Sequence, residues 1–426
     1  MQKIKALLQS KIASASALLM LSMTLVNAGN YVYNLIMGRW LGPSLFADLS
    51  LIVTLLLAIT FLTAPIQMTA ARYSAIHTAD GNEKALASIR RLIWFVALGL
   101  GLTLTAFFAL LAPVLKSFFH TQSSLSFIIF GAALPFAMLQ AVERGILQGR
   151  TSFKVLAISY QVEMWTRLLV SILLVALGFS VDGAVFGISL SFFFTWLVAK
   201  FAVRGLTSKE LPSKELQMSL LSFAAPVLIS QLGQILINNS DVILVKRFFD
   251  TGHAGQYAAL ALIGRIVFFA TWSVVTTMFP VVAQKQKMGE PHEHLLWVSL
   301  GIVVGVSAPV VLLTLFAPYW VVTVLFGSEF VAVAPLLWLY ALATSLYALA
   351  NVVVNYRLSL GVGRETGFII AAGLAQVMGI LFFHRTLHEV VIVQVVVMAV
   401  LFVSLLWWNF VHPHLATIFR MVVKHV

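Results

Sequence analysis

Apolar runs of roughly 20 residues recur along this chain of 426, separated by short polar breaks. Each is long enough to carry a helix across a bilayer core of roughly 30 Å. The runs lie near residues 13–37, 44–68, 92–115, 125–143, 155–178 and 182–203. A second set lies near 219–241, 254–282, 295–317, 331–355, 366–384 and 390–411. Strands of a membrane barrel would be about ten residues long with alternating polarity, and these runs are longer and continuous. Composition agrees: 61% of residues are hydrophobic and 10% charged, against about 25% charged in soluble domains. The sequence therefore predicts an all-α integral membrane protein of about 12 transmembrane helices. The run after Lys3, Lys5 and Lys11 exceeds a usual signal-peptide core, so it reads as a first span despite the small residues Val26-Asn27-Ala28.

The net charge of +12 would suit nucleic acid in a soluble protein. Here it follows membrane topology. With the N-terminus placed in the cytoplasm, 20 of the 27 Lys and Arg fall on the cytoplasmic side and 5 on the other, while Arg167 and Arg265 fall inside spans. That asymmetry follows the positive-inside rule, so no nucleic-acid partner is expected. Both termini are then expected in the cytoplasm. The absence of cysteine excludes disulfides and Cys-based metal sites. No Walker A pattern and no HExxH occur, so neither direct ATP drive nor a metal or other cofactor is expected.

The most polar stretch, 205–218, lies between the sixth and seventh runs. It suggests an N-terminal lobe (1–205, spans 1–6), a cytoplasmic linker (206–218), a C-terminal lobe (219–412, spans 7–12) and a cytoplasmic tail (413–426). One gapless register sets Asn30 on Asn238, Arg39-Trp-Leu41 on Arg247-Phe-Phe249 and Phe46-Ala47 on Ala254-Gly255. A second sets Gly149-Arg150 on Gly363-Arg364. Six spans per half is even, so the repeats are parallel, related by an axis along the membrane normal, with a site expected near their interface.

Ionisable groups at membrane depth usually face a bundle interior or a cavity. Glu163 and Arg167 are four residues apart and share a helix face, as a self-neutralised pair or as a polar cavity wall with Tyr160 and Trp165. Arg265 has no acid within one turn and calls for an anion from another helix or from a substrate. Asp241 either caps a helix or pairs with Lys246 or Arg247, or else carries a coupling ion or holds a gate; Glu163 shares that second possibility. Asn27, Asn30 and Asn34 form a stripe, as do Asn351 and Asn355, and Asn238 and Asn239 precede Asp241. Such amides serve interhelical hydrogen bonds or suit sugar hydroxyls. Arg144, beside Glu143 at the end of the fourth span, reads as a positive-inside charge. For Arg72 that reading and a substrate contact stay open. Asp48 reads as interfacial. No set of nucleophile, base and orienting acid is visible, so an enzyme is not expected.

Gly38-Arg-Trp-Leu-Gly-Pro-Ser-Leu-Phe-Ala47, Gly145-Ile-Leu-Gln-Gly-Arg150, Asn239-Ser-Asp-Val-Ile-Leu-Val-Lys-Arg-Phe-Phe249 with Ala254-Gly-Gln-Tyr257, and Leu325-Phe-Gly-Ser-Glu-Phe330 occur in that order. In order and spacing they resemble the polysaccharide-type, Wzx-like flippases of the multidrug/oligosaccharidyl-lipid/polysaccharide (MOP) exporter superfamily. The resemblance implies two six-helix lobes around a central cavity, alternating access, and a polyprenyl-diphosphate-linked oligosaccharide or repeat unit as substrate. It also implies cationic cavity residues, a role that falls on Arg72, Arg167 and Arg265, and as partners the bilayer and a polysaccharide polymerase or other export components. The first span has no interior base, unlike the peptidoglycan-precursor branch, and no interior acid, unlike cation-coupled drug exporters. A cation-coupled drug or metabolite exporter of the same fold, and a non-transporting scaffold of a polysaccharide-synthesis complex, are the alternatives. A membrane glycosyltransferase or polymerase ranks last.

Overall fold

A computed structural model describes residues 2–360 and 365–411. The expected tail, 413–426, and Gly363-Arg364 of the second repeat register lie outside the described residues. Among those described, the chain is helices joined by short connections, with no strand. In hydrocarbon every backbone N–H and C=O must be satisfied within the segment, which leaves the helix as the solution for apolar runs of this length. The α-helices are α1 (Gln2–Ala79), α2 (Glu83–Phe119), α3 (Leu125–Gly149), α4 (Phe153–Ala176), α5 (Ser180–Ala202) and α6 (Lys214–Phe248). They continue with α7 (Thr251–Met288), α8 (Glu293–Phe316), the short α9 (Pro318–Leu325), α10 (Leu337–Ser359), α11 (Thr366–Phe382) and α12 (Leu387–Leu406). A 3-10 segment, Ser328–Leu336, leads into α10.

Nine of the described helices are long and apolar enough to cross a bilayer. The first, α1, holds the first two expected spans; α7 and the 17-residue α11 correspond to two more. Bulky apolar side chains face outward, among them Leu110 at 78% exposure, Phe316 at 81% and Phe382 at 70%. A protein bathed in water does not present so much apolar surface, whereas lipid tails cover it without cost. The protein is a multi-pass membrane protein.

The break within α1 has a local cause. Gly42 takes φ 68° and ψ 172°, a conformation open to glycine, and the following Pro43 disfavours the helical region for the residue before it. The register that sets Asn30 on Asn238 sets Gly42 on Asp250, where the second half also breaks. There the chain leaves α6, and Asp250 caps α7 by accepting from the backbone N–H of Gly252 (2.9 Å) and His253 (3.1 Å). One half bends through a glycine and the other restarts with an N-cap at the same point.

The chain forms two compact units, Met1–Gln231 and Leu232–Val426. In the first, α3 is the central helix, packed against α1, α2 and α5 and buried over most of Phe127–Leu147. Close approach depends on glycine. A Cβ on Gly145 would lie 2.5 Å from the carbonyl oxygen of Gln67, and one on Gly149 would lie 2.3 Å from that of Ala71. The Gly145-x-x-x-Gly149 segment is thus a small-residue face that lets α3 and α1 pack backbone to backbone. In the second unit, α10 packs against α7, α8 and α12. Val282, Val303, Val352, Val353 and Leu405 lie in its apolar core.

Candidate functional site

Each unit encloses a cluster of charge buried among its helices. In the first unit it is built on Glu163, in α4. Arg167, one turn along the same helix, places Nη2 2.8 Å from Glu163 Oε1. Arg144 comes from α3 and places Nη1 2.7 Å from Glu163 Oε2. Arg167 Nη1 donates to Asn30 Oδ1 of α1 at 3.0 Å. Arg144 Nε donates to Ser159 Oγ at 3.1 Å, and its guanidinium lies 4.0 Å from the centre of the Tyr160 ring. The Tyr160 hydroxyl accepts from Gln67 Nε2 at 3.4 Å, and Gln67 also donates to Gln148 Oε1 at 3.1 Å. Side chains from three helices thus meet in one cluster.

The charge count decides what this cluster can do. Two guanidiniums share one carboxylate, and the side chains are 6% (Arg144), 11% (Arg167) and 18% (Glu163) exposed. The neighbouring Glu143 does not correct the balance. It is buried and held by Arg90, whose Nε and Nη2 bond it at 2.8 and 2.5 Å. The cluster therefore keeps one net positive charge in a largely dehydrated place. Arg144 Nη2 and Arg167 Nε are buried donors with no hydrogen-bond partner among the described residues. Buried donors left open are costly, so this arrangement suits an incoming acceptor that carries negative charge.

In the second unit the cluster is built on Asp241, in α6, whose side chain is fully buried. Arg265 Nη2 of α7 lies 3.0 Å from Oδ1. The hydroxyls of Tyr257 and Tyr340 donate to Oδ2 at 3.1 and 2.7 Å. Gln394 of α12 in turn donates to the Tyr257 hydroxyl. Gln376 of α11 bridges Ile237 O (3.0 Å) and Ser240 Oγ (2.9 Å). Gly264 admits the Tyr340 ring, since a Cβ there would lie 2.2 Å from Cδ1. Beside Arg265 and Asn238 is a cavity of about 20 Å³, room for about one water molecule. Here one cation meets one anion, and both carboxylate oxygens are occupied.

The structure therefore brings together Glu163, Arg167 and Asn30, and separately Asp241 and Arg265. Asp241 meets Arg265, an anion supplied by another helix. Arg144, read from the sequence as a boundary charge, is buried at Glu163; α3 continues past the expected end of the fourth span and carries it into the protein. Asp48, read as interfacial, is 4% exposed and accepts from the backbone N–H of Gln122 at 2.8 Å. Arg72 is exposed, with its guanidinium 4.5 Å from the Phe223 ring centre. Several amides bond within their own helix: Asn34 to Asn30 O, Asn238 to Gln234 O, Asn239 to Ile235 O and Asn355 to Asn351 O. Tyr340, Gln376 and Gln394 were not singled out by sequence, and Tyr257 stood there only as the end of a motif. Their signal would have been polar groups spaced through otherwise apolar spans.

The architecture has close counterparts among solved structures. An inward-facing multidrug resistance MATE family transporter of the MOP superfamily superposes with a TM-score of 0.73 at 18% identity, covering 88% of this chain and 93% of that one. The lipid II flippase MurJ, in an inward closed conformation, superposes with a TM-score of 0.74 at 13% identity, covering 92% and 87%. At such identities the likeness speaks for the fold. No curated protein matches the chain by sequence. The family model described as polysaccharide biosynthesis protein matches residues 13–286, which takes in the whole Glu163 cluster together with Asp241 and Arg265. With most of its length matched by that model and its fold shared with these solved structures, this chain belongs to the polysaccharide biosynthesis protein family.

Proposed function

We propose that the protein is a flippase that moves a polyprenyl-diphosphate-linked oligosaccharide or repeat unit from the cytoplasmic to the outer leaflet of a bacterial or archaeal inner membrane, with both termini cytoplasmic. The observation that carries this reading is the Arg144–Glu163–Arg167 cluster, with its uncompensated positive charge and open buried donors. A diphosphate offers negative charge and several acceptor oxygens, and the planar guanidinium fits phosphate geometry. Glu163 holds the two guanidiniums in place, and Asn30 orients Arg167. Family membership and the MurJ fold, a lipid II flippase by its description, support the same direction. A hydrated sugar head crosses the hydrocarbon only if polar groups replace its water, while the polyprenyl tail remains in lipid. Alternating access needs two states whose balance the substrate shifts through unequal affinity.

Arg265 enters this proposal as the partner of Asp241 rather than as a substrate contact. The same pairing weighs against Asp241 as an open cation-coupling site, because Arg265, Tyr257 and Tyr340 take both of its oxygens. Mass spectrometry of lipid extracts from cells with and without the gene tests the function. Deletion should cause one polyprenyl-diphosphate-linked glycan to accumulate, and restoring the intact gene should clear it. An unchanged lipid pool together with altered drug sensitivity would favour the exporter alternative.

A further inference from the structure

A second basic site lies outside both clusters, at one end of α2 and α5. Arg90, Arg91, Trp94 and Phe95 of α2, Lys200 of α5 and the linker residues Leu206–Ser208 line a pocket of about 380 Å³. Arg90 is committed to Glu143 and to Leu206 O (2.6 Å). Arg91 and Lys200 meet no carboxylate within ion-pair distance among the described residues. Arg91 Nη1 donates to Ser208 O at 2.8 Å, while its Nε is buried without a hydrogen-bond partner. The Arg91 guanidinium lies 5.5 Å from the Phe95 ring centre, and Lys200 Nζ lies 4.4 Å from that of Trp196. The pocket thus holds two positive charges in excess.

Its surroundings state what kind of anion fits. Past these cations α2 turns to lipid-facing apolar residues: Phe95 is 50% exposed, Val96 51% and Leu100 49%. Phe201, beside Lys200, is 59% exposed. Trp94 and Trp196 are of the amphipathic type that favours the membrane–water boundary. A pocket lined by cations, with exposed apolar side chains beside it, matches an amphiphile with an anionic head. The volume suits a small-molecule head group.

We propose that this pocket binds the phosphate head group of an anionic phospholipid of the surrounding bilayer, with Arg91 and Lys200 as its charge partners. The Arg90–Leu206 and Arg91–Ser208 bonds tie the start of the linker to the same pocket. Occupancy would therefore hold the linker root against α2. The site is separate from the Glu163 cluster and does not depend on the transported substrate.

Native mass spectrometry of the purified full chain, titrated with phosphatidylglycerol or phosphatidylcholine, tests this. The unaltered protein should retain phosphatidylglycerol and release phosphatidylcholine. The double variant Arg91→Gln/Lys200→Gln should retain phosphatidylglycerol roughly tenfold less well, since each surface cation contributes modestly to anionic-lipid binding. Lys209→Gln/Lys214→Gln, which removes two linker charges that do not line the pocket, should leave retention unchanged. Equal retention of the two lipids, equal loss in both double variants, or displacement by inorganic phosphate at matched concentration would each overturn the proposal. Should the Arg91/Lys200 variant fail to fold, tryptophan quenching in the unaltered chain gives the answer. Brominated phosphatidylglycerol should quench more than brominated phosphatidylcholine, and Trp94→Phe/Trp196→Phe should remove the excess; equal quenching would refute the site.

Discussion

The two units solve the same problem, a charge buried at membrane depth, in opposite ways. In Leu232–Val426 the solution is closed: Asp241 meets one arginine and two tyrosine hydroxyls, so the charge is cancelled and the carboxylate oxygens are satisfied. In Met1–Gln231 it is left open: Glu163 meets two arginines, and guanidinium donors remain without partners. Buried ion pairs in general are poor sources of stability, because desolvation offsets attraction. A closed pair is therefore read as a fixed element of packing. An open cluster with surplus charge is read as a place where something else binds.

The sharpest way to break this comparison is to remove the carboxylates. Asp241→Leu should cost about 3–5 kcal/mol, because it leaves Arg265 buried without an anion. The added change Arg265→Leu should restore most of that, as thermal unfolding in detergent would show. Glu163→Leu should cost at least as much, yet Arg167→Leu alone should not restore it, since Arg144 stays behind. Recovery should need Arg144→Leu as well. If one arginine change rescued both units equally, the two clusters would not differ as described.

A smaller effect concerns the helix that delivers Arg144. Gly149→Val places a side chain against the α1 carbonyl of Ala71 and should cost about 1–3 kcal/mol. It should also lower transport by shifting α3, while Gly205→Val, with nothing within 4 Å, should leave both unchanged. Smaller still, Tyr340→Phe removes one donor to Asp241 and should cost about 1 kcal/mol, with transport retained, as Tyr257 and Arg265 still hold the carboxylate.

The helices were legible because lipid demands long apolar runs, and the Glu163–Arg167 pair because four residues make one turn. Arg144 was not legible. Its span was expected to end at 143, but α3 stays buried to Leu147, and its partner stands on another helix. The Asp241–Arg265 pair was hidden for the same reason: a contact between α6 and α7 leaves no periodic trace in either run. The glycines of Gly145-Ile-Leu-Gln-Gly149 were visible as a motif, but their purpose, the close approach of α1, appears only when both helices are in place.

The most direct test is flipping by the purified protein in proteoliposomes, using a fluorescent polyprenyl-diphosphate-linked sugar and an impermeant quencher. The unaltered chain and Asp241→Leu/Arg265→Leu should both translocate it, while Arg144→Gln/Arg167→Gln, folded and inserted to the same extent, should fall to the protein-free rate. Unimpaired flipping by Arg144→Gln/Arg167→Gln would contradict the assignment of the open cluster to the diphosphate head group.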